Sequence, residues 1–254
     1  MGLADLHLHT TYSWDGTATV SAVLKTAAER GLNVVAITDH NEIAGALEAL
    51  ELAPAYGLEV APGIEVSTAD GHVLALFVRR CIPAGRPLRE TLQRIGEAGG
   101  IAVAAHPAAF GMDSLSPELI RQTRREANGA RVLIGLETVN GSLLFRRRSS
   151  LVAQSLAPAL GMASVGNSDA HSCALVGSGV TRFLGRTAAD LRRALERGLT
   201  QAETGRAAGA TAIAANWAPR YLLRCLGWVA WSPASDAPVR LGYRAHRLSP
   251  SQQI

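Results

Sequence analysis

Lysine is almost missing from this chain of 254 residues. Lys25 is the only one, so any cationic grip on an anionic ligand falls to arginine, whose planar fork suits phosphate or carboxylate. Cysteine is scarce too. Cys81, Cys173 and Cys225 are odd in number and widely spaced, which excludes a secreted disulfide framework and agrees with a reducing compartment. No apolar run approaches the ~20 residues that cross a bilayer, so no transmembrane segment is expected. Asp5, His7 and His9 break up the first ten residues and exclude a signal-peptide core there, so the expected location is cytoplasmic.

What is present is an ordinary globular balance. Apolar residues make up 48% and charged residues 18%, which excludes wholesale disorder and low-complexity fibre. The formal charge of +4 is unevenly spread. Residues 205–254 carry Arg206, Arg220, Arg224, Arg240, Arg244 and Arg247 against Asp236 alone, leaving the first 204 residues slightly acidic. The basicity therefore belongs to the tail. It is not read as a nucleic-acid footprint, and no stable nucleic-acid partner is expected.

Over residues 1–204, short apolar runs alternate with helix-period stretches. ADLHLH, NVVAITDH, LEVAPGIEVST, HVLALFV, IAVAAHP, RVLIGLETVN, MASVGNSDAH and SGVTRFLG read as strands. VSAVLKTAAERG, EIAGALEALELAPAYG, RPLRETLQRIGEAGG, SPELIRQTRREANG, LLFRRRSSLVAQSLAPALG and TAADLRRALERG read as helices, the first ending at Gly31 as a C′ residue. The strands are continuous apolar runs, which points to parallel sheets covered on both faces by helices. His7 and His9, Asp39 and His40, Glu65, His106, Glu137 and Asn140, and Asp169 and His171 all fall at the C-terminal end of an expected strand. In a (β/α) barrel, that rim is where active sites are assembled, so an α/β barrel of seven or eight units is expected. An open sheet would gather such groups at one switch point.

His7 and His9, and again Asp169 and His171, are two apart and share a strand face, which lets one strand give two ligands to one metal. Imidazole combined with carboxylate suits Zn, Mn or Fe. His72 either joins this set or caps a loop, and Glu137 is read either as a site acid or as half of a surface salt bridge. His246 in the tail is read as structural.

In this order, HLHTTYSWDG, AITDHN, GIE, HP and SDAH resemble the polymerase-and-histidinol-phosphatase (PHP) family of metal-dependent phosphoesterases, chiefly its short free-standing members. The resemblance implies a distorted (β/α)7 barrel with two or three divalent ions at the rim. It further implies that His7, His9, Glu65 and Asp169 surround one metal, and that Glu65 bridges to a second held by His106 and His72. Asp15, His40 and His171 would hold a third.

The activity so implied is hydrolysis of a phosphomonoester of a small metabolite or nucleotide by a hydroxide shared between metals. Ester, amide or carbamate hydrolysis at the same site is the alternative, and a metal-stabilised binding module the other. Asp169 is expected to hold the attacking water, His171 or His9 to supply the leaving-group proton, and Asp39 to steady an imidazole. Arg148, Arg182, Asn140 and Glu137 are the candidate substrate contacts.

The tail 205–254 holds Trp217, Trp228 and Trp231. It is read as an extension that docks on the barrel or on a partner subunit, with a membrane-surface helix as the competing reading.

Overall fold

A computed structural model of the chain describes residues 1–109, 113–142, 147–206, 217–219, 222–223, 230–231 and 238–239. The strands are short, and most are buried on both faces, β10 being the clearest exception. β1 (Gly2–Leu8), β2 (Val34–Ile37), β3 (Glu59–Val60), β9 (Gly179–Phe183) and β10 (Gln201–Thr204) form one five-stranded sheet, ordered β10-β9-β1-β2-β3. β4 (Gly63–Thr68), β5 (Gly71–Leu76), β6 (Ile101–Ala104), β7 (Leu133–Asn140) and β8 (Ala163–Asn167) form the other, in sequence order. A two-residue pair, β11 (Ala230–Trp231) and β12 (Pro238–Val239), stands apart from both.

Helices α1 (Val20–Glu29), α2 (Ala44–Leu52), α3 (Leu88–Glu97), α4 (Pro117–Arg125), α5 (Ala127–Val132), α6 (Arg147–Ala159) and α7 (Ala188–Glu196) connect the strands. Gly31 follows α1 at φ +74°, the left-handed turn that the sequence placed there. Among the described residues no helix is long and apolar enough to cross a membrane.

The arrangement differs from an all-parallel barrel. Neither sheet closes on itself, and parallel and antiparallel ladders mix. β1–β2, β2–β3, β6–β7 and β7–β8 are parallel, whereas β4–β5, β5–β6, β1–β9 and β9–β10 are antiparallel. The run LEVAPGIEVST, read as one strand, breaks at Ala61–Pro62 and passes from the first sheet to the second. Proline lacks the N–H that a continuous ladder would need. The run EIAGALEALELAPAYG, read as one helix, forms α2 and then tightens into a 3-10 turn at Ala53–Tyr56 where Pro54 enters. Similarly, the helix expected at SPELIRQTRREANG splits at Glu126, whose backbone is extended.

The two sheets share a core. Ala4, Leu6, Val34, Ala36 and Phe183 of the first meet Leu74, Leu76, Val103 and Val165 of the second, closed off by Leu191 and Leu195 of α7. A second core lies between strands and helices, with Val23, Leu24, Val35, Ile37, Leu92 and Ile95 among its members. His72 shares a face with Leu74 two residues on, and Glu65 stands opposite Leu74 in the ladder, so both belong to the inter-sheet side. Two isolated parallel bridges, His40 to Glu65 and Leu8 to Ala170, stitch the sheets together. Both seams lie among the metal-ligand candidates.

Candidate metal centre

Seven segments deliver the cluster. β1 carries His7 and leads to His9, and the following loop supplies Asp15. His40 follows β2, Glu65 lies on β4, His72 on β5, and His106 follows β6. Asp169 and His171 follow β8. Donor atoms within 4.8 Å of one another form four overlapping groups: His7, His106 and Asp169; His7, His9 and Glu65; His9, Asp15, His40 and His171; and His40, Glu65 and His72. All nine side chains expected from the sequence as ligands are thus brought together. His72 stands with the cluster, its Nδ1 2.9 Å from Glu65 Oε1.

The orientation of the rings is informative. His7 Nδ1 is held by Glu137 Oε1 at 3.0 Å, His9 Nδ1 by Ser13 Oγ at 3.3 Å, and His106 Nδ1 by Ser114 Oγ at 3.1 Å. His171 Nδ1 is held by the carbonyl of Asp169 at 3.0 Å. With Nδ1 fixed from behind, each Nε2 faces the carboxylates. His7 Nε2 lies 3.1 Å from Glu65 Oε2 and 3.4 Å from Asp169 Oδ1, and His9 Nε2 lies 3.3 and 3.4 Å from the same two atoms. Despite these separations, His7 Nε2, His9 Nε2, His40 Nδ1 and Glu65 Oε2 have no hydrogen-bond partner of proper alignment among the described residues. Buried polar atoms are otherwise nearly always satisfied. Lone pairs aimed at shared points, with the opposite nitrogen tethered, suit divalent cations and fit this donor set.

Electrostatics point the same way. Burial works to lower the His7 and His9 imidazoles, but Asp169 and Glu65 outweigh it, lifting His7 well above its ordinary value and His9 to about 10. Burial works to raise Glu65 and Asp169, and the imidazoles around them hold both well below the usual carboxylate range. Asp15 is likewise held low against its burial by His171 and His40. Such mutual charging marks functional sites.

Backbone strain gathers here as well: His106 and Asp169 adopt φ +29° and +51°, and Asn41, beside His40, adopts φ +56°. The loop 10–17 is drawn so tight that a Cβ at Gly16 would come 1.9 Å from the Thr10 carbonyl.

Other expected site residues have different roles. Asp39 does not steady an imidazole. Its Oδ1 accepts from Thr10 N at 2.6 Å and its Oδ2 from the Thr10 hydroxyl at 2.8 Å, bracing the ligand loop. Glu137 is neither a surface ion pair nor a substrate contact. It is fully buried and accepts from His106 N at 2.7 Å, Asn140 Nδ2 at 2.9 Å and Asn167 Nδ2 at 2.9 Å, besides holding His7. Asn140 also donates to Asp169 Oδ2 at 3.2 Å and accepts from Ser142 N, so its polar atoms are engaged within the protein. Arg182 pairs with Leu3 at the opposite end of β1 and is bound through two nitrogens to Glu203, at 2.6 and 2.7 Å, so it is not a clamp at this centre. Arg148 lies in the first turn of α6, and its side chain is outside the described residues. Of the tail, Trp217 donates from Nε1 to the Asp15 carbonyl at 3.4 Å, while Trp228 and His246 lie outside the described residues. Ser13, Ser114 and Asn167 were not anticipated from the sequence. Ser13, two residues from Asp15, and Asn167, two residues from Asp169, each stand close to a motif acid.

Comparison with known proteins agrees with this geometry. A family model described as the PHP domain matches residues 5–140, and one described as PHP-associated matches residues 148–200. An uncharacterized protein of Methanocaldococcus jannaschii is 42% identical over 114 residues, covering 41% of this chain and 67% of that protein. The phosphoribosyl 1,2-cyclic phosphate 1,2-diphosphodiesterase of Eggerthella lenta is 42% identical over 88 residues, 32% of this chain, which spans only 33% of the relative. Among solved structures, a two-domain protein from Bacteroides vulgatus containing a predicted PHP-like metal-dependent phosphoesterase superposes with a TM-score of 0.67 at 17% identity. That superposition covers 88% of this chain and 69% of the other, and shows a shared fold.

Proposed function

The chain belongs to the PHP-domain family, and from that premise we propose that it is a metal-dependent phosphoesterase acting on a phosphomonoester of a small metabolite or nucleotide. The observation that carries this reading is the set of inward-facing, unpartnered nitrogens and carboxylate oxygen on His7, His9, His40 and Glu65, with the His7 and His9 rings steadied from behind. The Eggerthella lenta relative is named for hydrolysis at phosphorus, which supports the same bond class. The two seams, at His40–Glu65 and Leu8–Ala170, support an interrupted (β/α)7 barrel made of β1, β2, β4, β5, β6, β7 and β8.

His7, His9, Glu65 and Asp169 would hold one ion, Glu65, His72 and His106 a second, and Asp15, His40 and His171 a third. Divalent ions bound there, Mn, Zn or Fe, would polarise the phosphoryl group and acidify water. The protein's own groups do the rest. The carboxylates of Glu65 and Asp169 fix the inner geometry, and Asn140 holds Asp169 in place.

Where no ion occupies the third position, His171 is better placed than His9 to hand a proton to the leaving group. His9 is buried, whereas the His171 side chain is 23% exposed. With Nδ1–H given to the Asp169 carbonyl, the His171 Nε2, 2.9 Å from Asp15 Oδ2, must carry either a proton or a cation between them.

The test is phosphate release from a panel of phosphomonoesters by the metal-loaded full chain, set beside a panel of aryl carboxylic esters. Phosphate release is expected, and Asp169→Asn is expected to abolish it. Turnover of carboxylic esters alone, or phosphate release that survives Asp169→Asn, would overturn the reading.

A further inference from the structure

Asp5 is a fully buried carboxylate on β1 that belongs to none of the four donor groups and forms no ion pair among the described residues. Its Oδ1 accepts from Ser168 N at 3.0 Å and from His7 N at 3.5 Å, and its Oδ2 from Gly177 N at 2.8 Å. A carboxylate accepts at both oxygens, which suits a place ringed by N–H donors. Ser168 and Gly177 stand at the two ends of the segment that carries Asp169 and His171. One side chain of β1 therefore grips that segment at both ends.

The same segment meets β1 where the regular ladder has stopped. Leu8 and Ala170 form an isolated bridge, in which His9 N donates to the Ala170 carbonyl at 2.9 Å and Ala170 N to the His7 carbonyl at 3.3 Å. Just before it, side chains replace backbone partners. Leu6 N donates to Asn167 Oδ1 at 2.9 Å, and Ser168 N donates to Asp5. Asp169 sits between these two grips at φ +51°, in the left-handed region that favours glycine. Such a conformation persists only where the surroundings over-determine it. From it, Asp169 Oδ1 comes within 3.4 Å of both His7 Nε2 and His9 Nε2.

We propose that Asp5 is a positioning residue of the metal centre: by holding Ser168 N and Gly177 N, it keeps Asp169 in the strained conformation that turns its carboxylate toward His7 and His9. The proposal rests on the metal centre and is independent of which ester bond is cleaved there.

The experiment measures Zn2+ affinity of the full chain by competition with a chromophoric chelator. Asp5→Asn keeps the shape but turns an amide NH2 toward a backbone donor, and it should weaken binding by about 10–100-fold. Asp5→Ala is read in the same way and serves where the amide prevents folding. The double variant with Asp169→Asn should bind no more weakly than Asp169→Asn alone, because an effect carried through Asp169 disappears with its carboxylate. The visible absorption bands of bound Co2+ should also shift in Asp5→Asn. They should stay as in the wild type in Phe183→Leu, a variant weakened in the inter-sheet core. Losses that add in the double variant would overturn the proposal. So would unchanged affinity and unchanged Co2+ bands in an Asp5→Asn protein whose metal-free Tm is lowered, since Asp5 would then be a brace for the fold alone. Coupling of Asp5 to Asp169 in a protein that releases no phosphate would uphold the proposal and remove the phosphoesterase reading.

Discussion

Glu137 concentrates at one carboxylate what orients the centre. Its two oxygens meet His7 Nδ1 and donors from His106, Asn140 and Asn167, so an acceptor-only group is needed at every contact. Glu137→Gln would turn an amide NH2 toward a donor and release the His7 ring. The expected outcome is a loss of metal affinity of about 10–100-fold, measured by chelator competition, with the far-ultraviolet circular dichroism unchanged. Unaltered affinity would show that the contact orients nothing. The sequence made the ligands themselves legible because most of them sit in short local motifs. The tethers behind the rings were not legible. Ser114 is eight residues from His106 and Glu137 is 130 from His7, and such pairings arise only when packing closes the distance.

α7 carries the element-scale predictions. Thr187 caps it, with the hydroxyl accepting from Asp190 N and the Asp190 carboxylate accepting from Thr187 N. Thr187→Ala should cost about 1 kcal/mol in denaturant unfolding. Asp190 is held at about 2 by hydrogen bonds from the Thr187 side chain, Thr187 N and Arg186 N. A carboxylate depressed from 3.8 stabilises fully above that value, and its contribution is lost as pH falls through about 2. The Tm deficit of Asp190→Asn should therefore be largest near neutrality and shrink between pH 4 and 2. A deficit constant across that range would rule out the carboxylate as its source. The TAADLRR pattern announced this helix, and α1 with Gly31 was equally readable. The β4–β5 hairpin was not read as antiparallel. Both strands are almost wholly buried on both faces, so their sequences lack the polar alternation that marks a strand with one face in water.

At the scale of the whole molecule, the inter-sheet core and the metal centre are two ends of one structure. Phe183 is fully buried in that core, and Phe183→Ala should destabilise the protein by about 3–5 kcal/mol by equilibrium unfolding. Ions that bind only the folded centre should add about 2.7 kcal/mol when present at a hundred times their Kd. Exhaustive chelation should then lower Tm, and an unchanged Tm would contradict tight binding by the native cluster.

By itself the sequence picked out the side chains that the fold gathers into one cluster and their order along the chain, because short motifs are local properties. Only the tertiary structure decided that the strands divide between two sheets stitched at the ligands, and that Glu137 and Asp39 brace the site from within. It also decided which nitrogen of each ring faces inward. Those outcomes depend on contacts between segments far apart in the chain, whose distances are fixed by packing and not by any neighbouring residue.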